Sequence, residues 1–389
     1  MKKISNLVIG LCFVAIIFTL SIKTVSNAYE DIKYSIDTNG VFHCKAEVES
    51  NLQENFERRN RWININGLFQ KCIGTTIIRQ SDGGDVYKLS NNQLMSNLDK
   101  QDMAAYADEL IKLDAVASDH NAEFMYIQLP FKIENDSVMP LGCHEYGNEN
   151  ADELLRLISS DVYSIDIRSK IYEAGYEWEK LFFKTDHHWR PETAFWAAGC
   201  IAEVLSEQYG HVIDRRSHNI SYYDVIKYED WFLGSQGKRT GNWYSGVDDF
   251  SLITPRYETS FRFIAESQSG ETIKRYGTFD DTMFDWKNIS KKDYFNINTY
   301  AGYIGGDYKK NIITNNMAPN DKRILLIRDS FSCTLAPFLA LDAKEITTID
   351  LRHFTECSIE DYIKNGNFDL VIVAYNPSAF TEQQFDFFN

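Results

Sequence analysis

Asp186, His188 and Ser330 are the side chains of this sequence whose types and spacing suit acyl transfer. Asp186 and His188 stand two apart in Thr185-Asp186-His187-His188-Trp189, so in extended chain both lie on the same side. Ser330 closes Arg328-Asp329-Ser330, directly after the apolar run 324–327, where a strand is expected to turn into a helix. A serine on such a turn exposes its hydroxyl, and backbone N–H groups and the helix dipole face a developing oxyanion. The hydroxyl is unreactive at its own pKa and needs an adjacent base, which needs an orienting group in turn. His188 fits the base and Asp186 the orienter. The competing account makes Asp329 or Ser330 a plain helix cap, since both residue types cap routinely. The Asp-x-His upstream favours chemistry.

Other residues compete for roles. His187 faces the opposite way from His188 in extended chain and is expected to bond a backbone carbonyl instead. Asp186, His187 and His188 could ligate a metal, but the chain lacks a second compact Asp/His cluster to complete the site, so no metal is expected. The stretch 234–241, Gly-Ser-Gln-Gly-Lys-Arg-Thr-Gly, lacks the spacing of a phosphate-binding loop and reads as a turn exposing Lys238 and Arg239. Pro130 and Lys132 follow the first convincing strand; a strand terminator with a solvated lysine is preferred there over a cleft lining. No substrate-binding residue is assigned.

The elements that must hold these groups are legible on either side of them. Pro191 suits a first helical turn and Glu192 its positive end, and the apolar stripe 194–205 stops at Gly210. Upstream, 101–118 is an amphipathic helix, 123–129 a strand, 152–158 a helix and 163–167 a strand. Downstream, the strands 324–327, 346–350 and 370–375 alternate with helices at 331–343 and 358–364. This βαβαβ run puts Ser330, Asp350 and Asn376 at one carboxyl edge, where open α/β sheets bind ligands. The fold class is therefore α/β, a parallel sheet flanked by helices. Between its halves, about 211–321, lies a strand-rich insertion, and 29–95 reads as an irregular approach.

The chain has 389 residues, 44% hydrophobic, enough for a substantial core. A formal charge of -16 opposes nucleic acid. Residues 1–28 read as a signal peptide or an N-terminal membrane anchor: Lys2 and Lys3 precede an apolar run, and Ser26-Asn27-Ala28 can be cleaved. On either reading residues 29–389, taken as one catalytic domain, lie outside the cytoplasm. Cysteines 44, 72, 143, 200, 333 and 357 permit disulfides, and no CxxC pair points to zinc.

Thr-Asp-His-His-Trp-Arg-Pro-Glu, the pair Leu-Gly-Ser-Gln-Gly-Lys-Arg-Thr-Gly and Asp-Asp-Phe, and the block 325–340 followed by Ile-Asp-Leu-Arg-His-Phe together resemble the DHHW proteins. That family resembles the SGNH-hydrolase-like catalytic domains of the alginate O-acetyltransferases. The resemblance runs from about residue 100 onward. It implies an SGNH-hydrolase-like fold without cofactor and the triad Ser330, His188 and Asp186. It implies, too, an acetyl ester on a cell-surface polysaccharide and an acetyl donor in a membrane-bound O-acyltransferase. Two departures from the wider superfamily stand out: Arg328 replaces the glycine before Asp-Ser, and the acid and base precede the serine. Both favour an acetyltransferase, with a carbohydrate acetylesterase or a non-catalytic glycan-binding envelope protein as the alternatives.

Overall fold

The computed structural model describes residues 2–39, 45–80 and 84–389. The chain divides into two compact units, Met1–Ile73 and Gly74–Asn389. The first consists of helices α1 (Lys2–Asn27), α2 (Tyr29–Asn39), α3 (Lys45–Glu54) and α4 (Arg59–Cys72). Residues 29–39, 45–54 and 59–72 are thus helical rather than irregular. Tyr29, Ile32 and Ile36 in α2, and Trp62, Ile65, Phe69 and Cys72 in α4, fall at helical spacing, short stripes set among charged and amide side chains. Among the described residues no helix is long and apolar enough to cross a membrane.

The second unit opens with three short strands, β1 (Ile77–Ile78), β2 (Val86–Lys88) and β3 (Leu94–Met95), which pair in that order. Then come α5 (Ala104–Asp119), β4 (Glu123–Gln128), α6 (Gly147–Ile158), β5 (Ser164–Asp166) and α7 (Ile167–Ala174). Helix α8 (Pro191–Tyr209) has Pro191 in its first turn and ends on Gly210, whose φ of 65° is the left-handed cap conformation that glycine adopts without penalty. The strand-rich stretch holds β6 (Tyr223–Phe232), α9 (Ser235–Thr240), α10 (Asn242–Ser245), β7 (Asp248–Pro255), β8 (Phe261–Glu266), β9 (Thr272–Gly277), α11 (Phe279–Met283) and β10 (Lys310–Asn315). The last segment is β11 (Arg323–Arg328), α12 (Ser332–Leu339), β12 (Glu345–Ile349), α13 (Ile359–Asn365) and β13 (Leu370–Tyr375).

Eight strands form the main sheet in the order β5-β4-β13-β11-β12-β10-β8-β9. From β5 to β12 every pairing is parallel. The strand-rich stretch splits. β10, β8 and β9 extend the sheet in antiparallel fashion, while β6 and β7 form a separate two-stranded sheet. Side chains alternate between two cores, as the two-residue strand period requires. Ile324 and Leu326 of β11, with Ile372 of β13, join the α8 and α12 side; Leu325, Ile327 and Val373 join the α5, α6 and α13 side. Strands buried on both faces are why 324–327 and 370–375 are continuous apolar runs.

Candidate active site

The parallel register aligns the carboxyl ends of β11, β12 and β13, so the residues that follow them share one edge. Ser330 sits in the turn between β11 and α12. Asp329, not Ser330, holds that turn: its Oδ1 accepts from the Phe331 N–H at 2.9 Å and its Oδ2 from the Asn376 N–H at 2.7 Å. Burial pushes the Asp329 carboxyl up to about 6, against those two N–H donors and the Arg352 charge. The Ser330 hydroxyl is left free for other work, and its own N–H has no partner among the described residues.

The partner of that hydroxyl lies 142 positions away in sequence: Ser330 Oγ is 2.7 Å from His188 Nε2. On the other side of the ring His188 Nδ1 donates to Asp186 Oδ1. A carboxylate only accepts, so the proton sits on Nδ1 and Nε2 accepts from the serine. Asp186 Oδ1 also accepts from the His188 N–H at 3.1 Å, and Oδ2 takes the Ser235 N–H at 2.6 Å. Burial opposes ionisation of Asp186, but His188, His187 and these hydrogen bonds hold it well below the usual carboxylate range. All three residues predicted from sequence therefore meet.

The segment 184–188 is not held by regular structure. Asp248, 3% exposed, accepts from the Lys184 and Thr185 N–H groups, both at 2.7 Å, and from the Thr185 hydroxyl at 2.6 Å. Gly237 N–H donates to the Thr185 carbonyl at 2.9 Å, and Gly234 N–H to the Thr185 hydroxyl at 2.8 Å. Gly234 comes so close that a Cβ there would lie 2.2 Å from Asp186 Cβ. The stretch 234–241 is thus a helix docked on the acid, not an exposed turn, and Lys238 donates to the Ile297 carbonyl at 2.9 Å. Glycine is needed for contact with Asp186, and only the folded chain reveals that neighbour.

Lys132 also departs from the expectation of a solvated side chain. It is 2% exposed, and its ammonium donates to the carbonyls of Leu94 at 2.7 Å, Lys184 at 3.2 Å and Asp186 at 2.8 Å. Burial lowers its pKa to about 7, with the Asp248 and Asp186 carboxylates pulling upward. Pro130 ends its strand as read, and its carbonyl accepts from the Asn376 amide at 2.6 Å. His187 Nδ1 faces the Ser235 hydroxyl at 3.3 Å rather than a backbone carbonyl. Asp186, His187 and His188 offer ligand atoms within 4.8 Å of one another, but both Asp186 oxygens and His188 Nδ1 are already engaged. Cys72, Cys143, Cys200, Cys333 and Cys357 are free thiols, and Cys44 lies outside the described residues.

Two aromatic residues join the arms. Trp189 Nε1 donates to the Phe331 carbonyl at 3.1 Å and the Thr334 hydroxyl at 3.0 Å. The Tyr300 ring stacks on His188 with centroids 3.9 Å apart, while its hydroxyl donates to the Phe331 carbonyl at 3.2 Å. Nothing in the sequence around Tyr300 signals this role. Phe232 and Tyr244 of the strand-rich stretch are buried, and Trp231 packs against the core. Ser330 opens onto a cavity of about 260 Å³, lined also by His187, Gln236 and Arg352. A larger cavity of about 940 Å³ lies between α8 and residues 211–225, and neither Ser330, His188 nor Asp186 lines it.

Fold and site together define an α/β protein with a serine, a histidine and an aspartate in hydrogen-bonded series at the carboxyl edge of its sheet. Residues 89–225 match the family described as SGNH hydrolase-like domain, acetyltransferase AlgX, a stretch that includes Asp186 and His188 and ends before Ser330. The chain is similar in fold to Bacillus cereus PatB1, solved with a sulfonyl adduct, with a TM-score of 0.66 and 22% identity over 80% of this chain and 98% of that one. It is similar also to a DHHW family protein from Eubacterium siraeum, with a TM-score of 0.58 and 20% identity over 78% of this chain and 94% of that one. The resemblance drawn from the motifs is thereby borne out. Comparison with curated proteins gives no significant match.

Proposed function

We propose that the protein is an extracytoplasmic O-acetyltransferase acting on a cell-surface polysaccharide, with Ser330 as nucleophile, His188 as general base and Asp186 as its orienting acid. The observation that carries this reading is the hydrogen-bonded series from Ser330 Oγ through both nitrogens of His188 to Asp186, made across two distant segments. The match to an SGNH hydrolase-like acetyltransferase domain supports acyl transfer. The apolar N-terminal run with Lys2 and Lys3 supports export, and a membrane-bound O-acyltransferase is the proposed acetyl source.

In the first half-reaction Ser330 Oγ attacks the acetyl carbonyl carbon while its proton passes to His188 Nε2. The carbonyl oxygen becomes an oxyanion, for which the Ser330 N–H, without a partner among the described residues, is a donor in the turn before α12. Asp186 stabilises the imidazolium through Nδ1. The bond to the donor oxygen then breaks, that oxygen takes the proton from Nε2, and acetyl-Ser330 remains. In the second half a sugar hydroxyl gives its proton to Nε2 and attacks the same carbonyl; the bond to Ser330 Oγ then breaks, and that oxygen takes the proton back from Nε2. Water in place of the sugar makes the same steps an acetylesterase.

The test is hydrolysis of a chromogenic acetyl ester by the wild type and by Ser330→Ala, followed by acetyl transfer to an added glycan. Loss of both activities in the variant is expected. Equal hydrolysis by the two proteins would remove Ser330 from the chemistry and leave the glycan-binding alternative.

A further inference from the structure

The Ile-Asp-Leu-Arg-His-Phe motif ends β12 and has no part in the three-residue series, yet its arginine lines the cavity onto which Ser330 opens. Asp350, fully buried, takes Arg352 Nε at 2.9 Å and Nη2 at 2.6 Å, and Asp307 lies 3.2 Å from the same Nη2. Behind them Arg328, the residue in the place of the usual glycine, contacts both carboxylates, at 3.2 Å from Asp307 and 3.5 Å from Asp350. Arg352 is therefore fixed along one edge of its guanidinium. Its Nη1 keeps two hydrogens with no partner among the described residues, on a side chain that is 35% exposed.

This pinning decides what Arg352 can bind. Fork-to-fork recognition of a carboxylate uses two parallel N–H groups of the guanidinium, and the Nε/Nη2 fork is occupied by Asp350. The positive charge is matched as well. Asp307 is held down to about 2: burial opposes its ionisation, and Arg328 and Arg352 overcome that. Asp350 and Asp307 offset the two arginines, and Asp329 adds a third carboxyl on the same cavity. An incoming anion would find no net positive field, whereas single neutral oxygens would find two aimed donors.

Resting on the acetyl-transfer reading, we infer that Arg352 is a substrate-binding residue that holds a neutral sugar through hydroxyl or ring oxygens at Nη1, beside the hydroxyl that receives the acetyl group. The Asp350 and Asp307 contacts set its aim, so its contribution is directional hydrogen bonding and not charge attraction.

The experiment measures binding of a β-1,4-glucose tetrasaccharide and of its C6-oxidised glucuronate counterpart to the full chain carrying Ser330→Ala, alone and with Arg352→Met or Arg352→Lys. Expected are tighter binding of the neutral glycan, little change between low and high salt, and weakening by about tenfold in both arginine variants, the loss of a hydrogen bond to a charged donor. The lysine variant keeps a cation near Asp350 and guards against loss of folding in the methionine variant, which thermal melting checks. Tighter binding of the glucuronate, steep salt dependence, binding of neither glycan, or unchanged affinity in a folded Arg352→Lys protein would overturn the inference. Failure here leaves the acetyl-transfer reading standing if Ser330→Ala still abolishes ester hydrolysis; equal hydrolysis by that variant and wild type removes the reading itself.

Discussion

The serine and the histidine reach the same point by different physical means. Ser330 is placed by regular structure: a strand paired on both sides, a turn held by one buried carboxylate, and a helix. His188 is placed by polar contacts from Lys132, Ser235 and Asp248, which belong to three remote stretches of chain. Regular structure averages its positioning over many backbone bonds, whereas a loop held by a few buried polar groups depends on each of them. The acid–base arm is therefore expected to be the fragile one, sensitive to substitutions far from the reacting atoms.

The largest effect tests both arms at once. Ser330→Ala and His188→Ala should each lower ester hydrolysis on the order of 10⁴–10⁶-fold, and the double variant should be little worse, since the residues act as a unit. Multiplied losses in steady-state kinetics would separate the arms. Next, Asp186→Asn should cost about 10³–10⁴-fold in kcat with the fold intact, because an amide cannot hold the same tautomer. Gly234→Ala follows. Its Cβ would need the space that Asp186 occupies, and a shift of the acid by about 1 Å is expected to cost roughly 10²-fold. If Gly234→Ala turned over at the wild-type rate, the claimed fragility would be lost.

The smallest effect belongs to the serine arm and is read as stability. The Asp329 carboxyl stands near 6 in the fold against an ordinary 3.8, so between those values the folded chain binds a proton that the unfolded chain has released. Its contribution is full below pH 3.8 and is lost as pH rises through about 6. The melting temperature of wild type relative to Asp329→Asn should fall across that window on going from acid to neutral. A difference independent of pH would show that Asp329 titrates normally.

The same contrast explains what the sequence disclosed. Patterns of local origin were legible: the buried strands of the βαβαβ run, the proline and glycine that bound α8, and the serine after a strand. The i, i+2 relation of Asp186 and His188 was legible too, because it needs only local geometry. What stayed hidden depends on which segments meet. Lys132 looks like any lysine after a strand until three carbonyls surround it, and Gly234 looks like a turn residue until Asp186 lies beneath it. Tyr300 is one aromatic among many in a stretch whose Phe232 and Phe250 are plain core. Helices α2 and α4 were open to the same reading, since Tyr29, Ile32 and Ile36 and Trp62, Ile65, Phe69 and Cys72 recur at helical spacing, but as short stripes in otherwise polar chain.

The central claim is that Ser330 carries the acetyl group between donor and acceptor. Brief incubation with an activated acetyl ester, rapid acid quench and peptide mass mapping test it directly. One added acetyl group on the peptide containing Ser330, formed in wild type and absent from His188→Ala, is the predicted result. An acetyl group found elsewhere in the chain, or turnover without any acetylated Ser330, would contradict it.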